Sequence, residues 1–101
     1  MITDADEQTF RSEVLDTPGR VVVQFHATWC GPCKALAPHF QAASERVDGI
    51  KFVRADVDQL SMDRVVDYGI MSVPKILEFE DGQVIQEIKG RTVTNILKEV
   101  S

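Results

Sequence analysis

Two apolar runs separated by one long helical pattern constrain the fold of this chain more than any other feature. The first run, Arg20–His26, is rich in β-branched residues, and residues 50–57 form a second run of the same kind. Between them, apolar residues recur every three or four positions, the spacing of a helix. These residues are Leu36, Phe40, Ala43 and Val47. Two strands joined through a helix pair in parallel with a right-handed crossover, so the sequence predicts a β–α–β unit.

The remaining patterns add a hairpin and three more helices. Residues 6–16 and residues 61–68 have helical spacing, and the second of these segments is expected to end at Gly69. Asp81-Gly82 lies between two short strand patterns, which is typical of a hairpin. Residues 93–100 form an amphipathic helix. Met62 and Met71 are expected to fill the core.

The order of these elements predicts an α/β fold. We expect a central mixed sheet that contains both strands and the hairpin, flanked by four helices. No linker or repeat interrupts the chain, so residues 1–101 are expected to form a single domain.

Composition and charge narrow the possible functions. The chain has 101 residues, of which 44% are hydrophobic and 27% are charged, as in an ordinary globular domain. Its net charge of −5 differs from the basic patch that nucleic-acid-binding proteins carry. No apolar stretch approaches the roughly 20 residues needed to span a bilayer. We therefore expect neither nucleic acid nor a membrane among its partners.

The first seven residues, MITDADE, are acidic and lack the basic and apolar regions of a signal peptide. This predicts a cytoplasmic protein, in a compartment where thiols are kept reduced. The chain has two cysteines, Cys30 and Cys33. In a reducing compartment such a pair is more often catalytic or metal-binding than structural.

Cys30 and Cys33 lie where the first predicted strand gives way to the long predicted helix. A helix N-terminus presents unpaired N–H groups and a partial positive charge, which favour a thiolate. The pKa of Cys30 is therefore expected to fall below the value of about 8.5 of a free thiol. The three-residue spacing brings Cys33 under Cys30, close enough for a disulfide. One sulfur can then attack a target disulfide, and the other can resolve the mixed disulfide.

Residues 29–34, Trp-Cys-Gly-Pro-Cys-Lys, resemble the active-site motif of the thioredoxin family. The resemblance covers nearly the whole chain, because Pro38, Val73-Pro74 and Gly82 match a helix proline, a cis-proline loop and a hairpin glycine of that family. It implies the thioredoxin fold, an α/β fold whose mixed sheet here has four to five strands because the family's first strand is cut down to a stub around Ile2. It also implies a protein-disulfide reductase. In this enzyme Cys30 would be the exposed nucleophile and Cys33 the buried resolving thiol. The residues that it implies for the substrate groove are Trp29, Gly31, Pro32, Val73, Pro74 and Gly90.

The resemblance also implies partners and a cofactor-free reaction. The Gly-Pro pair between the cysteines is typical of reducing members, so disulfide-containing proteins are the expected targets and a thioredoxin reductase the expected electron donor. The only redox group is expected to be the Cys30–Cys33 disulfide. The sequence has no G-x-G-x-x-G loop, so no nicotinamide site is expected. No obvious interface feature is visible, and a monomer is expected.

Several positions depart from the family pattern and are expected to tune the rate or the choice of target. Gln24 stands where a buried Asp is usual, and a neutral amide cannot act as a base near neutral pH. Arg54 replaces the lysine paired with that Asp. His26 replaces an aromatic residue, and is either a substitute proton acceptor or a packing residue. Lys75 replaces a threonine, and either favours acidic targets or is a solvated strand residue.

Three other interpretations of the cysteines are open to test. A zinc site would need two more ligands, and the only histidines, His26 and His39, have no usual zinc spacing to the cysteines. A purely structural disulfide that closes so short a loop would contribute only about 2 kcal/mol. A thioredoxin-like binding module with little redox role is the main alternative function, and the neutral residue at Gln24 is the observation that favours it.

Overall fold

The computed structural model describes residues 2–101, which form a five-stranded mixed sheet with helices on both faces. The strand order is β1-β3-β2-β4-β5. Strands β1 and β2 run parallel to β3, whereas β4 is antiparallel to both β2 and β5. The strands are β1 (Ile2–Ala5), β2 (Arg20–His26), β3 (Ile50–Asp56), β4 (Lys75–Glu80) and β5 (Gln83–Ile88). The predicted α/β class and the short first strand are confirmed.

Within residues 2–101, three α-helices and two short helical segments, Arg11–Leu15 and Val57–Gln59, accompany the strands. Helix α1 (Gly31–Arg46) joins β2 to β3 and runs on through Pro38, which confirms the predicted crossover unit. Helix α2 (Met62–Asp67) is shorter, and Gly69 follows it with a φ of 62°, as expected of a C-terminal cap. Helix α3 (Val93–Val100) ends the chain. None of the helices within residues 2–101 is long and apolar enough to cross a bilayer.

The hairpin between β4 and β5 forms at the predicted position. Asp81 has a φ of 51° and Gly82 a φ of 83°, the two positive values that a tight hairpin turn requires. A Cβ on Gly82 would lie 2.6 Å from the Leu15 carbonyl oxygen, so the turn also packs closely against the segment before β2. Both backbone conformation and space therefore favour glycine here.

The sheet separates two apolar layers. One layer, under the N-terminal segment and α2, contains Phe10, Phe25 and Phe79. The other lies between the sheet and helices α1 and α3, and Phe40 packs edge-on against Phe52 with ring centroids 5.2 Å apart. Residues of β2 alternate between the two layers, which is why this strand is buried along most of its length.

The helix expected over residues 6–16 is present but shorter, as a single π-helical turn over Arg11–Leu15. In the turn before it, the side chains of Asp6 and Thr9 accept hydrogen bonds from each other's backbone N–H groups. The prediction that two methionines fill the core is wrong. Met62 and Met71 do not fill the core, since they are 74% and 95% exposed. Val66, one helical turn after Met62 on α2, is also exposed.

Candidate active site

Cys30 and Cys33 are joined as a disulfide at the N-terminus of α1, with Cα atoms 5.3 Å apart. Cys30 is the N-cap residue of this helix, and the backbone N–H of Cys33 donates a hydrogen bond of 3.1 Å to Cys30 Sγ. Pro32 occupies the first turn, where a missing N–H has no cost. The helix end therefore directs an N–H donor and its partial positive charge at the sulfur of Cys30.

The disulfide is largely covered by the rest of the chain. Cys30 is 4% exposed and Cys33 is 1% exposed, so Cys30 is the more accessible of the two but less open than the resemblance implied. The carbonyl oxygen of Val73 lies 3.7 Å from Cys30 Sγ, which accounts for part of this cover. The bond between Val73 and Pro74 is cis, as the resemblance to the family's loop implied.

An apolar cavity of about 140 Å³ adjoins the disulfide on the α2 side. Trp29 forms its rim, is 70% exposed, and donates from Nε1 to Asp58 Oδ2 at 3.0 Å. The other lining residues are Val57, Val65, Ile70, Met71, Ser72 and Val73. The exposed Met71 therefore belongs to this cavity, a place that the sequence pattern did not indicate.

A second cavity, of about 280 Å³, lies on the other side of the disulfide. Its lining residues are Pro32, Ala35, Leu36, His39, Pro74 and Arg91. No sequence motif marks Arg91, and its position beside Pro74 depends on the fold. Gly31 is exposed next to these residues, with no atom within 4 Å of a Cβ built on it.

Gly90 is buried rather than open to either cavity. Its N–H donates to Glu99 Oε2 at 2.6 Å, and a Cβ placed on it would lie 2.7 Å from that oxygen and 2.8 Å from Asn95. The close approach of α3 to this turn explains why glycine stands here. The predicted role of Gly90 in substrate binding stays a prediction.

Gln24 and Arg54 lie side by side beneath α1. They are register partners on β2 and β3, on the face of the sheet that carries Val22 and packs against α1. Gln24 is completely buried, and neither its amide oxygen nor its amide nitrogen has a hydrogen-bond partner within residues 2–101. The same is true of Arg54 Nε. The polar pair that the sequence predicted is therefore adjacent but not hydrogen-bonded.

His26 lies two residues beyond Gln24 on the same strand and lines a polar cavity of about 310 Å³ with Arg54. Burial lowers the pKa of His26 below its usual value, and the nearby Arg54 guanidinium lowers it further, while Asp56 and Asp4 act in the opposite direction. The neutral imidazole is therefore favoured near neutral pH, which keeps a proton-accepting role available to it.

Lys75 is half-buried, and its ammonium group contacts other residues of the chain. Nζ donates to the Gly69 carbonyl oxygen at 3.1 Å and lies 3.8 Å from Glu87 Oε1. Of the two interpretations of Lys75, a cation that attracts acidic targets is the weaker one, because an internal carboxylate already lies close to it.

The described part of the chain offers no group of three or more His, Cys, Asp or Glu side chains placed to hold a metal ion. His39 is instead in contact with α3, since the backbone N–H of Val93 donates to its Nδ1 at 3.4 Å. The pair of cysteines is thus left with disulfide chemistry as the reaction that its own geometry supports.

Comparisons with known proteins agree with this geometry. A model of the thioredoxin family matches residues 1–101. Thioredoxin Asp f 29 of Aspergillus fumigatus is 42% identical over 91 residues, which cover 88% of this chain and 80% of the relative. Thioredoxin-1 of Schizosaccharomyces pombe is 41% identical over 86 residues, covering 85% and 82%. The thioredoxin of Bacillus subtilis is 35% identical over 100 residues, covering 98% and 93%.

Proposed function

The chain belongs to the thioredoxin family, and from this premise we propose that it reduces disulfide bonds of other proteins through the thiols of Cys30 and Cys33. It is a thiol–disulfide oxidoreductase. One observation indicates which cysteine is the nucleophile. At the start of α1, Cys30 Sγ accepts a hydrogen bond from the Cys33 N–H. A thiolate at Cys30 would gain the same donor, which makes Cys30 the nucleophile.

The reaction has two exchange steps. The Cys30 thiolate attacks one sulfur of the target disulfide, so that a mixed disulfide forms and the other target sulfur leaves as a thiolate. Cys33 loses its proton and attacks Cys30 Sγ, which forms the Cys30–Cys33 disulfide and releases the second target thiolate. Two electrons pass from the chain to the target, and the two released thiolates take up protons.

Pro74 and Val73 are proposed to hold the target in place for the first step. The carbonyl of Val73 already lies beside Cys30 Sγ, so an extended target segment bound along this loop would bring its disulfide to the nucleophile. Trp29, Gly31 and Pro32 are proposed to contact the target from the opposite side. The exposure of these three residues supports that proposal.

Reduction of insulin by dithiothreitol tests the assignment. We expect the wild-type chain to accelerate it and Cys30→Ser to abolish the acceleration. Cys33→Ser should instead accumulate a mixed disulfide with the target, which mass spectrometry detects. Circular dichroism shows whether both variants fold. A wild-type chain that is folded, fully reduced and inactive would instead support the binding-module alternative, in which double Cys→Ser substitution leaves function intact.

We also propose that residues 1–101 act as one domain, as a monomer in the cytoplasm, with a thioredoxin reductase as the electron donor. The family match across residues 1–101 supports the single domain. A reducing role agrees with a compartment in which thiols are kept reduced. Light scattering after size-exclusion chromatography measures the oligomeric state, and a coupled assay with a thioredoxin reductase and NADPH tests the donor.

A further inference from the structure

The two cavities beside the disulfide differ in charge. The cavity on the α2 side is lined by apolar residues and one serine, whereas Arg91 and His39 are among the residues that line the cavity of about 280 Å³ on the other side. Pro32, between the cysteines, and Pro74, of the cis-proline loop, both line the second cavity. A target bound at Cys30 would therefore meet an apolar surface on one side and a cation on the other.

Arg91 is held in a fixed position by three carbonyl oxygens. Nη1 donates to Ile88 and to Gly90, at 3.2 and 3.0 Å, and Nη2 donates to Pro74 at 3.3 Å. A guanidinium has five N–H donors, so these bonds leave the Nε–H and one Nη2–H unused within residues 2–101. Two such donors are the number that a carboxylate accepts in a bidentate pair with arginine.

The charge of Arg91 is not neutralised inside the chain. Within residues 2–101 no carboxylate lies within ion-pair distance of its guanidinium, whereas Arg20 and Arg64 each have a glutamate partner. His39 adds a further donor, because its Nδ1 accepts the Val93 N–H and a neutral ring then carries its hydrogen on Nε2. Arg91 is half-buried, donates hydrogen bonds to three carbonyl oxygens and has no carboxylate partner within residues 2–101. Such an arginine is suited to bind an anionic group of a partner.

We propose that the Arg91 cavity is a specificity subsite that accepts an aspartate or glutamate side chain next to the cysteine under attack in the target. This proposal rests on the proposed reductase function, and it states which targets the reductase would favour. The net charge of −5 repels strongly acidic proteins at long range, but this effect is screened within about 8 Å at physiological salt. The subsite therefore selects a single carboxylate close to the disulfide rather than an acidic target as a whole.

Matched disulfide peptides test the subsite. One pair of peptides has Glu or Gln immediately before the cysteine under attack, and a second pair has Glu or Gln immediately after it. In one of the two positions we expect wild type to reduce the Glu peptide with a kcat/KM about fivefold higher than the Gln peptide, a difference typical of a partly exposed ion pair. The ratio should fall toward one when the ionic strength is raised to about 1 M.

Arg91→Gln should bring the Glu-to-Gln ratio close to one at the same position. Arg11→Gln should leave the ratio unchanged, because Arg11 is exposed and lines neither cavity. If Arg91 only braces the Pro74 loop, its substitution lowers turnover of both peptides equally and leaves the ratio at the wild-type value, which overturns the proposal. A wild-type ratio near one at both positions also overturns it.

Different results would contradict the Arg91 subsite and the reductase function. Equal reduction of all peptides, with normal reduction of insulin, removes the subsite and leaves the reductase function intact. No reduction of insulin or of any peptide by the folded, reduced chain removes the reductase function, and the subsite with it.

Discussion

Gln24 and Arg54 are register partners on neighbouring parallel strands, and within residues 2–101 neither the Gln24 amide nor Arg54 Nε has a hydrogen-bond partner. The Gln24 amide and Arg54 Nε therefore have hydrogen-bonding capacity that no other group within residues 2–101 uses. The pair lies beneath the helix that carries both cysteines. Because an amide cannot accept a proton near neutral pH, the chain lacks a buried base at this position.

Gln24→Asp is expected to raise the rate at which the mixed disulfide is resolved, by several-fold, because a carboxylate can take the proton of Cys33. The same change should lower the free energy of unfolding by about 1–3 kcal/mol, since it replaces a buried neutral group with an ionisable one. Stopped-flow fluorescence of Trp29 or insulin turnover measures the rate, and urea denaturation measures the stability.

Gln24→Asn is the matched control, because asparagine has the size of aspartate without its charge. Equal rates and equal pH profiles for the Asp and Asn variants would mean that the shorter side chain, not the base, is responsible. They would also indicate that Cys33 loses its proton by another route, for which His26 is the neighbouring group.

Arg20 is expected to stabilise the fold mainly by compensating the charge of Glu78. Glu78 is completely buried, and it accepts hydrogen bonds from Arg20 Nε and from Gln86 Nε2. Arg20→Met removes the cation and leaves a buried carboxylate, so the free energy of unfolding should fall by about 3–5 kcal/mol. The double variant with Glu78→Met should recover most of this loss, which urea denaturation of all four proteins in the cycle measures.

The recovery in the double variant is the decisive quantity. Arg20 Nη2 also donates to the Val100 carbonyl at the end of α3, so part of the loss belongs to that contact. If the loss in the double variant equals the sum of the two single losses, Arg20 and Glu78 are not coupled and the effect of Arg20 belongs to its contact with α3.

The sequence was sufficient for the crossover unit, the hairpin and the position of the cysteines, because each depends on local pattern. The strand Arg20–His26, the helix after Cys30 and the turn at Asp81-Gly82 all have the spacing or the residue types that those elements require. The helical pattern predicted the position of α2 correctly but not which of its residues are buried. Met62 and Val66, four residues apart, are both exposed, whereas Val65 packs against the core.

Other parts of the site depend on contacts between residues far apart in the sequence. Arg91 reaches the carbonyl of Pro74, and Glu78 receives Arg20 from another strand, although neither residue belongs to a local motif. Glutamate is rarely fully buried, so the residue type alone predicts that Glu78 is exposed. Only the register of β2 with β4 brings Arg20 within hydrogen-bond distance of Glu78.

Two glycines beside the site are expected to respond differently to the same substitution. Gly90→Ala should lower the free energy of unfolding by about 1–3 kcal/mol, because the new Cβ would lie 2.7 Å from Glu99 Oε2 and 2.8 Å from Asn95. Gly31→Ala should leave stability unchanged or slightly higher, since no atom lies within 4 Å of its Cβ and alanine restricts the unfolded chain.

Thermal or urea denaturation compares the two variants, and insulin turnover separates packing from contact with the target. A stable Gly31→Ala protein with reduced turnover would support a role of Gly31 in contact with the target. If Gly90→Ala is as stable as wild type, α3 can move away from the turn, and the close packing at this position is not needed for the fold.

The ion pair between Glu7 and Arg64 should make stability depend on acid pH. Hydrogen bonds from Arg64, and then from the Ser61 N–H, lower the pKa of Glu7 from 4.5 to about 2. A lowered carboxyl pKa stabilises the folded state fully above pH 4.5, and this contribution is lost as the pH falls toward 2. We therefore expect Glu7→Gln to destabilise the chain at pH 7 but to have no effect near pH 2.

Urea denaturation of wild type and Glu7→Gln at several pH values between 2 and 7 measures this difference. Glu45→Gln is the control, because Glu45 is exposed and, within residues 2–101, only the Gln41 amide donates to its side chain. Its effect on stability should be small, because the Glu45 side chain forms no ion pair within residues 2–101. A stability difference for Glu7→Gln that stays constant from pH 7 to pH 2 would show that the neutral side chain loses packing or hydrogen bonds rather than charge, and that the ion pair with Arg64 does not control acid stability.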